Sequence, residues 1–181
     1  VLVLVEDRQL GSARSLRRLA TDGSTDASFR DVPLTPASMA AYRLLGAQPD
    51  GRFLMSQVVS GGRIGFEALV RVNADGSLDT TWSGVPTAPG RYPQSTFSLA
   101  SDGRILRGAP TTLVVEGATQ NRFVVERFLP QGQRDLSLDS LGGADGAILG
   151  MLPLRDGRIV AYGEFTTFAG AARLKMARLV A

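Results

Sequence analysis

Two short markers recur along the chain with one shared period, and this constrains the fold more than any other feature. The first reads "LRRLATDGSTDASF" from Leu16, "LVRVNADGSLDTTW" from Leu69 and "VERFLPQGQRDLSL" from Val125. Its glycines, Gly23, Gly76 and Gly132, stand 53 and 56 residues apart. The second reads "QPDGRFLM" from Gln48, "ASDGRILR" from Ala100 and "LRDGRIVA" from Leu154, with Gly51, Gly103 and Gly157 spaced by 52 and 54. Two independent markers in fixed phase define a tandem unit. Such a unit is too small to bury both its faces, so neighbours must stack.

The unit reads as strands. Each Asp-Gly pair lies between apolar runs, where Gly supplies positive φ and Asp bonds the turn backbone, so each "DGR" joins two strands in a hairpin. An alternating strand carrying Arg follows, as in "SLRRL", "ALVRV", "VVERF" and "KMARL". A Gly turn comes next, and then a short strand ending in Phe29, Trp82 or Leu138. No ten-residue window carries helical periodicity. Four antiparallel strands repeated in tandem is the blade logic of a β-propeller. A β-solenoid is the structural rival, but its repeats are usually shorter and lack a hairpin at each turn.

Composition narrows function more than it names one. The chain of 181 residues is 44% hydrophobic and 20% charged, which supports a packed core and excludes a disordered class. It has no Cys and no His, which removes disulfides, thiolate metal sites, thiol nucleophiles and the usual general base. No apolar run approaches the roughly 20 residues of a membrane-spanning helix, so membrane insertion is not expected. The net charge of +3 is spread along the chain without a basic run, which argues against nucleic acid as a partner.

Four arginines, Arg18, Arg71, Arg127 and Arg178, hold one position in every unit, and Asp26, Asp79 and Asp135 recur behind them. An Arg on a partly apolar face wants a carboxylate, so an Arg–Asp link within or between blades is expected. The functional rival is a ring of arginines lining an anion-binding channel. Calcium is not expected, because "DGSTD" and "DGSLD" lack the alternating oxygen ligands and distal Glu of a calcium loop, and the third copy, "QGQRD", loses the first carboxylate. Glu67, Glu116, Glu126 and Glu164 break the repeat rule but stand in loops or at ordinary solvent-facing strand positions. The chain therefore reads as non-catalytic, with no metal and no cofactor. The inter-unit loop "TAPGRYPQ" is the longest, and its Arg91 and Tyr92 are the candidate contacts for a partner.

The pattern "LVRVNADGSLDTTW … SLASDGRIL … EFTTFAGAARLKMARL" resembles the delta-60 repeat of bacterial β-propeller proteins. In that family an "ARLNADGSLDTSF"-like half alternates with an "LQPDGKILVGGxF"-like half, and the likeness covers nearly the whole chain. The third unit departs from it, with Gln131 where the others have Asp22 and Asp75. The resemblance implies an extracellular or cell-surface setting in bacteria and says little about activity.

The fold expected is all-β, a propeller-like arc of four-stranded antiparallel blades with about 3.4 repeats. The units run over residues 1–38 (partial), 39–94, 95–145 and 146–181 (partial). Both ends carry the same middle strands, so the chain reads as an excerpt of a larger propeller, or as half of a ring of about seven blades made by two copies. The function expected is a structural or interaction module of a secreted or surface protein. A protein partner or self-association is its expected interaction. A carbohydrate-binding or carbohydrate-active propeller is the alternative.

Overall fold

The computed structural model describes residues 1–7, 13–34, 40–61, 64–85, 95–115, 117–138 and 142–180. Every regular element among them is a β-strand, all strand pairs are antiparallel, and no helix occurs among the described residues. The chain divides into two compact units, Val1–Tyr92 and Pro93–Ala181.

The first unit holds two three-stranded sheets. One is β1 (Leu2–Asp7), β2 (Ala13–Arg18) and β3 (Val32–Leu34); the other is β4 (Ala40–Ala47), β5 (Phe53–Gly61) and β6 (Ile64–Val72). Leu16, Phe29, Val32, Leu34, Met55 and Val72 form a buried cluster between them. Phe29 meets Phe53 edge to face, with ring centroids 6.1 Å apart. Pro33 lies opposite Ser15 on β3, and a proline is tolerated there because β3 is an edge strand.

The second unit repeats the plan. One sheet is β7 (Thr96–Leu99), β8 (Ile105–Val115) and β9 (Ala118–Phe128). The other orders β10 (Ile148–Pro153), β11 (Ile159–Gly163) and β14 (Met176–Leu179), with a small hairpin of β12 (Thr167–Phe168) and β13 (Ala171–Ala172) inserted before β14. Its core joins Leu106 and Val125 of the first sheet to Ile148, Met151, Ile159 and Ala161 of the second. Phe165 and Phe168 of the inserted segment pack into the same core, their rings 5.7 Å apart.

The hairpins at both markers are one turn used twice. In each "DGR" the Gly amide donates to the carbonyl three residues back, as Gly51 does to Gln48, and Gln48 donates to Arg52 at 2.7 Å. Ala100 and Leu154 repeat the pattern, as do Ala20, Asn73 and Leu129 at the first marker. The glycine in each has φ between 82° and 96°, the left-handed region that closes a three-residue hairpin.

Among the described residues the four larger sheets have three strands each and the small hairpin has two, so four-stranded blades are not shown. One expectation needs correction. The short strand expected to end at Phe29 is instead a second turn, in which Phe29 donates to the Asp26 carbonyl at 3.1 Å, and Trp82 repeats it at Asp79. The strand of the first sheet comes later, at Val32–Leu34, in the Pro-rich segment read as a connection.

Candidate functional site: carboxylates shared by arginines

The recurring Arg and Asp meet at the end of the strands that carry Arg18, Arg71 and Arg127. The backbone brings them there first: Asp26 donates its N–H to the Arg18 carbonyl at 3.0 Å, Asp79 to Arg71 at 2.9 Å and Asp135 to Arg127 at 2.8 Å. With the backbone so fixed, Arg18 Nε lies 2.8 Å from Asp26 Oδ2, Arg71 Nε 2.8 Å from Asp79 Oδ2, and Arg127 Nε 2.8 Å from Asp135 Oδ2. The link is therefore made within one sheet and its own turn.

The other carboxylate oxygen is used as well. Asp26 Oδ1 accepts from the Ser28 amide and hydroxyl, Asp79 Oδ1 from those of Thr81, and Asp135 Oδ1 from those of Ser137, with hydroxyl distances of 2.6 Å in all three. Arg18 lies 4.9 Å from the centre of the Phe29 ring and Arg71 5.2 Å from that of Trp82. The aromatic residue behind each turn thus covers the guanidinium. In the third copy Leu138 takes that place, buried and without a ring.

Burial differs among the copies. Arg71 and Asp79 expose 7% and 5% of their side chains, whereas Arg18 and Asp26 expose 23% and 27%. The Thr81 hydroxyl, and after it Arg71, draw Asp79 down to about 2 from 3.8, against the opposing effect of desolvation. Asp26 and Asp135 are lowered too, first by their serine hydroxyls. A carboxylate held ionised in this way is a weak general base and no acid at neutral pH.

The second marker reaches the same carboxylates. Arg52 of the "DGR" turn bonds Asp50 at 2.7 Å and Asn73 at 3.2 Å, and its Nε lies 3.5 Å from Asp79. Arg104 holds Asp102 at 3.0 Å and lies 3.7 Å from Asp135. Arg158 pairs with Asp156 at 2.7 Å. Arg178 is exposed and makes no ion pair among the described residues. Gly51, Gly103 and Gly157 serve the turns that place Arg52, Arg104 and Arg158. Arg91 and Tyr92 lie outside the described residues.

The first Asp of the turn has a local task. Asp22 and Asp75 each accept the amide and hydroxyl of the serine two residues on. The third copy keeps the turn's backbone bonds with Gln131 in that place. This is the behaviour of a turn cap. No group of three or more metal-ligating side chains occurs among the described residues.

Two sites escaped the sequence reading. Glu126 is not solvent-facing: its side chain is 9% exposed, Arg107 Nε donates to it at 2.8 Å, and Arg134 lies 3.3 Å away. Arg107 stands directly opposite Glu126 in the strand register, a pairing no local pattern reveals. Asp145 accepts from the Thr166 hydroxyl at 2.6 Å and from the Thr166 and Thr167 amides, and these bonds lower it strongly. The recurring Arg after each Asp-Gly was the one signal in the sequence that could have pointed to the role of Arg52 and Arg104.

Residues 65–81 and 154–180 match a family model described as a beta-propeller domain of unknown function, DUF5122. The matches fall on the first marker of the second copy and on the fourth copy from its "DGR" turn onward. With the all-β antiparallel sheets, they support a β-propeller repeat family. No curated protein and no solved structure matches the chain.

Proposed function

We propose that this chain is a non-catalytic interaction scaffold built of delta-60-type propeller repeats, working in a secreted or cell-surface protein of bacteria. The observation that carries the reading is the internal use of its recurring charges. Arg71, Arg127, Asp79 and Asp135 are spent on one another and on turn hydroxyls, which leaves them to hold the fold. Four-stranded blades in a propeller-like arc of about 3.4 repeats remain the finer architecture. In support, the first sheet supplies the two strands after a "DGR" position plus β3, while the other three supply the strand before it and the two after. Laid over one another, they make a set of four.

Binding a protein partner, or another copy, is the role such a scaffold would serve. The test is protease shaving of intact cells that make the full-length gene product with a tag beside this region. Loss of the tag while a cytoplasmic marker survives is the expected result. Survival of both, with no protein in the medium, overturns the surface reading.

A further inference from the structure

A cleft of about 120 Å³ opens within the second unit, between the "DGR" turns of its two large sheets. That is several times what a single water needs, ~10–15 Å³. Leu106, Pro153 and Ile159 supply apolar wall, and Arg104, Arg127 and Arg155 supply guanidinium groups.

Arg155 is the departure that singles out this place. The same turn position is Pro49 in one copy and Ser101 in another, so the turn itself does not require an arginine. Arg155 is exposed, and among the described residues it makes no ion pair. The turn arginines Arg52, Arg104 and Arg158 recur with the hairpin, whereas Arg155 is a cation outside that rule beside a cleft, a feature added to the scaffold.

The charge count selects the ligand. The lining holds three guanidinium groups, of which Arg104 pairs with Asp102 and Arg127 with Asp135 behind the wall. The balance is one positive charge, which suits a monoanion and disfavours a dianion such as phosphate. The arginines here already bind carboxylates in this geometry, with Arg127 2.8 Å from Asp135.

We propose that this cleft binds a carboxylate carried on a short apolar group, with Arg155 and Arg104 as its donors and Leu106, Pro153 and Ile159 receiving the apolar part. The site goes beyond the scaffold reading and does not depend on the cellular setting. The carboxylate belongs to a small organic acid or to the free end of a polypeptide.

The experiment titrates butyrate into the isotope-labelled 181-residue chain at constant ionic strength and follows the backbone amide signals of Ser101 and Gly157 by NMR. Saturable shifts are expected with butyrate, and none with butyramide. Arg155→Ser, which restores the residue of the third copy, should keep the spectrum of a folded protein and weaken binding about tenfold. A peptide with a free C-terminus that binds more tightly than butyrate, where its amidated form does not, assigns the polypeptide source. Butyrate binding as tightly as the free peptide, or more tightly, assigns the small acid. Equal shifts with butyramide, tighter binding of phosphate than of butyrate, or unchanged affinity in Arg155→Ser overturns the proposal.

Discussion

Arg52 Nε lies 3.5 Å from Asp79 Oδ2, which joins the two interleaved markers of the sequence at one carboxylate. Asp79 also receives Arg71, and the two arginines differ sharply in exposure, 40% for Arg52 and 7% for Arg71. Removing a buried partner leaves an uncompensated charge, whereas an exposed pair is screened. Arg71→Met should therefore cost about 3 kcal/mol and lower Tm by roughly 6–12 °C. Arg52→Met should cost less than about 1 kcal/mol. Thermal unfolding followed by circular dichroism ranks the two; equal effects would show that burial does not set the value of the link.

Stability should depend on acid in one direction only. The carboxylate of Asp79 sits at about 2 in the folded chain against 3.8 without its partners. A lowered carboxylate adds stability that is complete above pH 3.8 and lost as pH falls towards 2. Asp135 and Asp145 are shifted in the same direction. The chain has no histidine, so Tm should stay level from pH 5 to 8 and fall steadily below about 4. Asp79→Asn should flatten part of that fall. A Tm that drops between pH 8 and 5 would not fit.

Gly76 and Gly23 hold the same turn position and almost the same φ, 88° and 86°. A Cβ at Gly76 would overlap the Arg30 carbonyl, whose own amide donates to Asp75 at 2.7 Å, whereas nothing lies near Gly23. Gly23→Ala should cost about 1–2 kcal/mol, the strain of a left-handed non-glycine residue. Gly76→Ala should cost clearly more, since backbone must also move. Denaturant unfolding of both variants reads the difference, and parity would deny the close approach of Arg30.

Glu126 is buried against Arg107, and truncating it to alanine leaves that guanidinium, 15% exposed, without its carboxylate. Glu126→Ala should cost about 3 kcal/mol. Replacing both residues, Glu126→Leu with Arg107→Met, should recover most of the loss, because a matched apolar pair carries no desolvation cost. A double variant as unstable as the single one would place the function of Glu126 elsewhere.

What the sequence exposed was whatever repeats. The period, the Asp-Gly turns and the eight-residue spacing of Arg71 to Asp79 are local patterns, and the turn that joins them is short enough to be read from its own residues. What it hid depends on partners set by strand register. Glu126 looks like a solvent position because Arg17 shares its place, yet that place faces inward, as buried Ala177 shows, and strand register sets Arg107 beside it. β3 was hidden because Pro33 marks a loop in most contexts, and only its edge position makes it strand. The small hairpin at Thr167–Phe168 follows from burial of Phe165 and Phe168 in a core whose other members are distant in sequence.

The most direct measurement of the central claim is a double-mutant cycle on Arg71 and Asp79, using Arg71→Met, Asp79→Asn and the pair together in denaturant unfolding. If each repeat closes through its own arginine and aspartate, the two substitutions should couple by at least about 1.5 kcal/mol. Coupling within about 0.3 kcal/mol of zero would contradict that account, since the two side chains would then contribute independently despite their 2.8 Å approach.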